Sequence, residues 1–198
     1  MDLRALDAAA LNHLSSLITT ISASQLSATT PCAGWNVADL IDHMNREHEA
    51  VSSTILGAPL ILDADPRSAF AQAIARWKAA FGQPGMLDQE VYVPKYQKRY
   101  LGQEILWVHL ADMLVHHWDI SKAIAVAPDL PAALVAVALP VAQALPVDGP
   151  LRGAGSTYAP PVDVPPNASP GDLLVAALGR SPAWRAAEDL PPNRHSHV

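Results

Sequence analysis

Apolar residues recur at three- and four-residue steps along most of the chain, which is the spacing of amphipathic α-helices. The first such stretch covers residues 3–22 and carries Leu3, Leu6, Leu14 and Ile18 among its apolar positions. No alternation of apolar and polar residues persists long enough to indicate a sheet. The pattern therefore predicts a protein built from helices.

Local capping residues set the bounds of the next two helices. Asn36 is a good N-cap, and Asp39 three residues later suits a capping box, so a helix is predicted from Asn36 to about Leu56. An Asp-Pro pair begins the third helix, over residues 66–81, because proline is favoured at the first helical position. The link over residues 83–100 is predicted to contain at most a short extended piece.

The longest uninterrupted helical stretch is LGQEILWVHLADMLVHHWDISKAIA, residues 101–125, with room for about six turns. A further apolar helix over residues 130–145 contains Pro140, where a kink is expected. A last short helix covers residues 171–178. Together these elements predict an all-α fold, a four-helix bundle with a C-terminal irregular segment and a short helix.

Two regions are expected along the chain. Residues 1–145 form the metal-binding helical bundle, and residues 146–198 form a C-terminal extension packed on it, with a disordered tail from about residue 189. A chain of 198 residues with 50% hydrophobic and 16% charged residues is long enough and apolar enough for one sizeable core.

The charge and cysteine content exclude some classes of function. The net charge is −6 and Lys and Arg form no cluster, which argues against a nucleic-acid partner. No stretch approaches the roughly 20 apolar residues of a membrane span. A single cysteine allows no intrachain disulfide, so a cytoplasmic location is expected. Exposed Val and Leu on the 130–145 helix would allow a homodimer.

Four polar residues lie on one face of the long fourth helix: His109, Asp112, His116 and Asp119. An imidazole and a carboxylate one turn apart suit a divalent metal. Helix bundles build metal sites from inward-facing side chains on neighbouring helices, and His43 beside the apolar stripe of the second helix offers a third ligand. Three protein ligands and an open position make a catalytic zinc site, whereas a core histidine bonded to an aspartate is the structural alternative.

Two segments resemble a known family. TPCAGWNVADLIDH, residues 30–43, is similar to the start of the metal helix in DinB/YfiT-like proteins, and more narrowly to the mycothiol-dependent maleylpyruvate isomerase N-terminal domain. DMLVHHWDI, residues 112–120, resembles the second metal-bearing motif of that group. Residues 168–182 resemble the tail of its actinobacterial metal-binding branch.

The resemblance implies a four-helix bundle that holds a divalent metal, usually zinc, through His43, Asp112 and His116. This chain differs from the isomerase in carrying Asp at position 112, where the isomerase carries Glu. It also has a short tail helix where the isomerase has a separate C-terminal domain.

The leading functional hypothesis is a metal-dependent enzyme that uses a low-molecular-weight thiol, mycothiol, for S-transfer or isomerisation of a small electrophilic substrate. His109 and Glu47 would move protons near the metal. One alternative is a metal-dependent hydrolase that activates water. The other is a non-catalytic metal-binding protein in which His109 closes the site as a fourth ligand.

Two further residues have open roles. Asp119 could cap the helix, pair with Lys122 or hold a ligand imidazole. Cys32 before the second helix is expected to be a buried, inert cysteine.

Overall fold

Most of the chain is helical. The computed structural model describes residues 2–148, 151–152 and 157–186, so the predicted disordered tail lies outside the described residues. The prediction of an all-α fold is confirmed. The described helices are α1 (Leu3–Ile18), α2 (Val37–Leu56), α3 (Pro66–Phe81), α4 (Gly102–Ala123), α5 (Ala132–Ala144) and α6 (Pro170–Ala177).

The capping signals place the helix starts correctly. Asn36 and Asp39 form the predicted capping box at the start of α2, and the Asp65 side chain caps α3. The predicted helix over residues 3–22 is too long, because α1 ends at Ile18. The hydroxyl groups of Thr19 and Thr20 donate to carbonyl groups three residues back, which competes with continuation of the helix.

The bundle is formed by α1 to α4, with α2 packed on α3 and α4 packed on α1. Its centre contains Leu14, Leu40 and Leu110, each fully buried. Helix α4 buries side chains on nearly every side, including His116 and Asp119. The face of α4 that carries its polar residues therefore points into the protein, as expected for a site rather than a solvated surface.

A β-hairpin interrupts the link between α3 and α4. Strand β1 (Glu90–Val93) pairs antiparallel with β2 (Lys98–Leu101). The extended piece is predicted by the sequence, whereas its partner strand is not, because four residues are too few to show an alternating pattern. Helix α4 starts directly after β2 at Gly102, where a Cβ atom would lie 2.2 Å from the carbonyl oxygen of Met86. Only glycine permits this close approach.

The C-terminal segment, residues 132–186 among those described, packs on the bundle through α5 and α6. These two helices contact each other and α4. Helix α5 runs through Pro140. Gly179 follows α6 with a left-handed φ of +82°, and this turn directs Arg180 back into the protein. The division at residue 145, the kink and a homodimer stay predictions. None of the described helices combines the length and hydrophobicity of a membrane span.

Candidate metal centre

A cavity of about 530 Å³ lies between α2, α4, the β-hairpin and the C-terminal segment. Four of the five predicted site residues line it: His43, Glu47, His109 and Asp112. The fifth, His116, is buried beside Asp112, with its Nε2 atom 3.5 Å from Asp112 Oδ2. The fold thus brings all five residues to the cavity wall or directly beside it.

His116 has one ring nitrogen bound and one unpartnered. Its Nδ1–H donates to Asp119 Oδ2 at 3.0 Å, so Nε2 is the nitrogen left to bind a proton or a metal ion. Within the described residues, Nε2 is buried and has no hydrogen-bond partner. An oriented imidazole nitrogen beside a carboxylate fits a divalent cation, which takes the place of the proton on that nitrogen.

The charges around His116 favour a cation at this position. Burial acts to lower the pKa of His116, but Asp112 and Asp119 outweigh it and raise the pKa to about 10. Burial acts to raise the pKa of Asp112, but His116 and the Tyr158 hydroxyl group hold it below its usual value. Two carboxylates therefore stabilise a positive charge between them, which either a proton or a metal ion can supply.

His43, the third predicted metal ligand, lies near His116. Its ring centroid is 6.1 Å from that of His116 and 4.7 Å from that of Trp35. The ligand atoms of His43, Asp112 and His116 are not all within 4.8 Å of one another in the described structure. Burial, aided by His116, lowers the pKa of His43 to about 4, so its imidazole is neutral, as a metal ligand must be.

A second group meets the distance criterion for a metal site. The ligand atoms of Cys32, His116 and Asp119 all lie within 4.8 Å of one another. However, the Arg180 Nη2 atom lies 3.1 Å from Asp119 Oδ2 and 3.4 Å from Cys32 Sγ. The guanidinium group already places a fixed positive charge beside Cys32 and Asp119. These residues are therefore better suited to holding His116 in place through its Nδ1 atom than to binding a metal ion.

The C-terminal segment contributes two residues that the sequence does not predict. Tyr158 donates its hydroxyl hydrogen to Asp112 Oδ1 at 2.8 Å, and Arg180 pairs with Asp119. Of the three roles open to Asp119, the structure shows the third, because its carboxylate binds the imidazole of His116. Cys32, expected from the sequence to be buried, is only half-buried. Arg180 lies in the segment 168–182 that resembles the family tail, but no local pattern reveals the partner of Tyr158 or Arg180, since both partners are distant in the chain.

His109 has a protein partner at both ring nitrogens. Nδ1 lies 2.5 Å from Asp7 Oδ1, and Nε2 lies 2.7 Å from His48 Nε2. This arrangement leaves His109 no ring nitrogen to serve as a fourth metal ligand. Glu47 lines the cavity 3.9 Å from Lys95 Nζ, and burial raises the pKa of its carboxyl group.

The comparison with protein families agrees with the fold. The sequence model of the family described as "Mycothiol maleylpyruvate isomerase N-terminal domain" matches residues 8–121, more than half of the chain. The chain belongs to this family. The matched residues include the three predicted metal ligands, whereas Tyr158 and Arg180 lie outside the match.

Individual relatives extend this result. Two Mycobacterium tuberculosis proteins, from strains CDC 1551 and H37Rv and both described as uncharacterized, are 32% identical over 175 residues, which is 87% of this chain and 94% of theirs. The crystal structure of the mycothiol-dependent maleylpyruvate isomerase matches with a TM-score of 0.56 and 16% identity, over 72% of this chain and 70% of that one. A histidine-to-alanine mutant of that isomerase gives the same TM-score, the same coverage and 14% identity. At these identities the solved structures show a shared fold.

Proposed function

We propose that this protein is a metal-dependent enzyme that uses mycothiol for S-transfer to, or isomerisation of, a small electrophilic substrate. The observation that carries this proposal is the buried, unpartnered Nε2 atom of His116, held beside Asp112 next to the cavity. Membership of a family named for a mycothiol-dependent isomerase supports the choice of thiol.

His43, Asp112 and His116 would hold the metal, which we propose to be zinc. Neutral imidazole and carboxylate groups are ordinary zinc ligands, and the pKa directions of His43 and Asp112 put both groups in their metal-binding forms. At His116 a metal ion would replace the proton that its raised pKa retains. A bound divalent cation supplies a Lewis acid that lowers the pKa of a thiol, so that thiolate is present at neutral pH.

The chain provides the rest of the chemistry through its cavity. A volume of about 530 Å³ lies within the range of small-molecule sites. Apolar side chains make up much of the wall, which excludes water and receives the apolar body of a substrate. Glu47, whose pKa is raised by burial, and His109 are the proposed proton-carrying groups on this wall. The apolar residues are Met44, Val51, Trp77, Val93, Ile105, Val108, Met113, Leu145, Pro146 and Leu151.

A thiol-turnover assay tests the proposal. Zinc-loaded protein, with its metal content measured, is incubated with mycothiol and a panel of small electrophiles. We expect loss of free thiol, or thiol-dependent isomerisation, that is absent from metal-free protein. No thiol-dependent reaction at a demonstrably filled site would count against the proposal, and turnover without thiol would favour the hydrolase hypothesis.

Tyr158→Phe is expected to weaken metal binding without unfolding the protein. The change removes the hydroxyl group that donates to Asp112 Oδ1 and helps to keep that carboxylate oriented. Loss of such a supporting hydrogen bond lowers metal affinity by about 10- to 100-fold. Competition with a chromophoric chelator measures the change.

Tyr96→Phe is a matched control for this experiment. Tyr96 also lines the cavity, but its hydroxyl group bonds Thr157 rather than a proposed ligand. The Tyr96→Phe variant should bind metal with an affinity near that of the wild type. If the two variants bind metal equally well, Tyr158 does not position Asp112 for a metal.

A further inference from the structure

A hydrogen-bonded chain of three buried side chains, from Asp7, His109 and His48, borders the same cavity. Asp7 on α1 binds His109 on α4, which binds His48 on α2. The indole Nε1–H of Trp77 donates to the other oxygen of Asp7 at 3.0 Å. Asp7, His48 and His109 are 3%, 2% and 9% exposed, so these bonds form away from water, where hydrogen bonds are electrostatically stronger.

When both imidazoles are neutral and Asp7 is ionised, one arrangement of protons satisfies these hydrogen bonds. Both oxygens of Asp7 accept hydrogen bonds, from His109 Nδ1–H and from Trp77, as a carboxylate does. With its proton on Nδ1, His109 accepts at Nε2, so His48 donates its Nε2–H to it. Burial and the neighbouring His109 lower the pKa of His48 well below its usual value, which keeps His48 neutral. Its proton is therefore on Nε2 and its lone pair is on Nδ1.

His48 Nδ1 is the one ring nitrogen of the pair that is not used by the protein. It is buried and has no hydrogen-bond partner among the described residues. His48 and His109 both line the cavity that His43 and Asp112 also line. The chain thus connects the cavity wall to a carboxylate in the core.

We propose that His48 accepts the proton of a thiol that enters the cavity, with His109 and Asp7 as positioning residues that store the charge. This inference rests on the proposed use of a thiol. It also revises the role of His109, which would act through His48 rather than directly on a ligand, because both of its ring nitrogens are bound.

The proton transfer balances along the chain. The S–H bond breaks, its electron pair stays on sulfur, and the proton bonds to His48 Nδ1. The proton on His48 Nε2 passes to His109 Nε2. His109 then carries a positive charge next to the Asp7 carboxylate, where an imidazolium is stabilised. The residual change is one proton taken from the thiol and held by the pair of His109 and Asp7.

Proton counting by calorimetry tests this inference. Mycothiol is titrated into zinc-loaded protein at neutral pH in two buffers of different ionisation enthalpy, and the difference in heat gives the protons released. A free thiol is mostly protonated at this pH, so binding as thiolate sheds about one proton unless the protein takes it up. We expect wild type to release close to none, and His48→Gln to bind the thiol and release about one.

A matched control is His117→Gln, which also removes a buried histidine from the bundle. His117 does not line the cavity, and burial lowers its pKa to about 4. This variant should keep the wild-type proton count. Equal proton release by wild type and His48→Gln would overturn the inference while leaving thiol binding intact. No heat of thiol binding to zinc-loaded wild type would instead contradict the proposed function.

Imidazole ¹⁵N NMR of the wild type provides a readout that needs no variant. Protonated and unprotonated ring nitrogens have well-separated shifts. In the thiol-free protein we expect the Nε2–H form for His48 and the Nδ1–H form for His109. On thiol binding, both nitrogens of His109 should become protonated. The opposite tautomer of His48, or an unchanged His109, would contradict the relay.

Discussion

His43→Ala is expected to abolish stoichiometric metal binding while the protein stays folded. Asp112 and His116 come from one helix, and α2 supplies the third proposed ligand through His43. Loss of a supporting group alone costs about 10- to 100-fold in affinity, so loss of a ligand should cost on the order of 100-fold or more. Elemental analysis after gel filtration, with chelator competition for the affinity, measures the result.

The fold should survive this change because His43 is neutral and only partly buried. His13→Ala is a suitable control, since His13 is also a half-buried histidine but stacks on His117 away from the cavity. It should keep the wild-type metal content. Wild-type metal content in His43→Ala would show that the third ligand lies elsewhere. A metal-free wild type under zinc-replete conditions would contradict the whole ligand assignment.

Arg180→Met is expected to be strongly destabilising, by about 3–5 kcal/mol, since it removes one partner of a buried ion pair. Asp119 is fully buried, and the guanidinium group of Arg180 contacts both of its carboxylate oxygens. Arg180 holds the pKa of Asp119 below its usual value against the effect of burial. Without Arg180, the buried charge keeps its contacts with the His116 imidazole and the Cys32 thiol but loses its fixed cation. Urea unfolding of the metal-free protein, with the free energy extrapolated to water, measures the effect.

Two companion variants separate charge burial from loss of packing. Arg46→Met changes an exposed arginine on α2 and should alter the free energy of unfolding by no more than about 0.5 kcal/mol. The double variant Asp119→Asn with Arg180→Met removes both charges and should recover part of the lost stability. An Arg180→Met protein as stable as Arg46→Met would show that the ion pair does not stabilise the folded protein.

Asp119 shows which contacts the sequence predicts and which contacts only the tertiary structure reveals. Its place three residues after His116 predicts that the two side chains can meet on α4, and they do. The residue that decides its charge state, Arg180, lies 61 positions away in the chain. Helical spacing is a local property, whereas this partner depends on how α6 and the Gly179 turn pack against the bundle.

For His109, too, the sequence predicts the position and the tertiary structure reveals the partners. The sequence predicts correctly that it lies on the α4 face that carries Asp112, and the structure places both residues on one cavity wall. The sequence leaves its role open between a fourth ligand and a proton carrier. The partners at its two nitrogens, Asp7 and His48, come from α1 and α2 and reveal the hydrogen-bonded chain.

The sequence by itself determined the helices, their caps and the candidate ligands, because periodicity, capping and side-chain spacing depend on residues only a few positions apart. Only the tertiary structure decided which groups surround those ligands. It brought Tyr158 to Asp112, Arg180 to Asp119 and Asp7 to His109. These contacts join distant segments whose burial must be satisfied together, so their physical basis is the packing of the whole chain around one core.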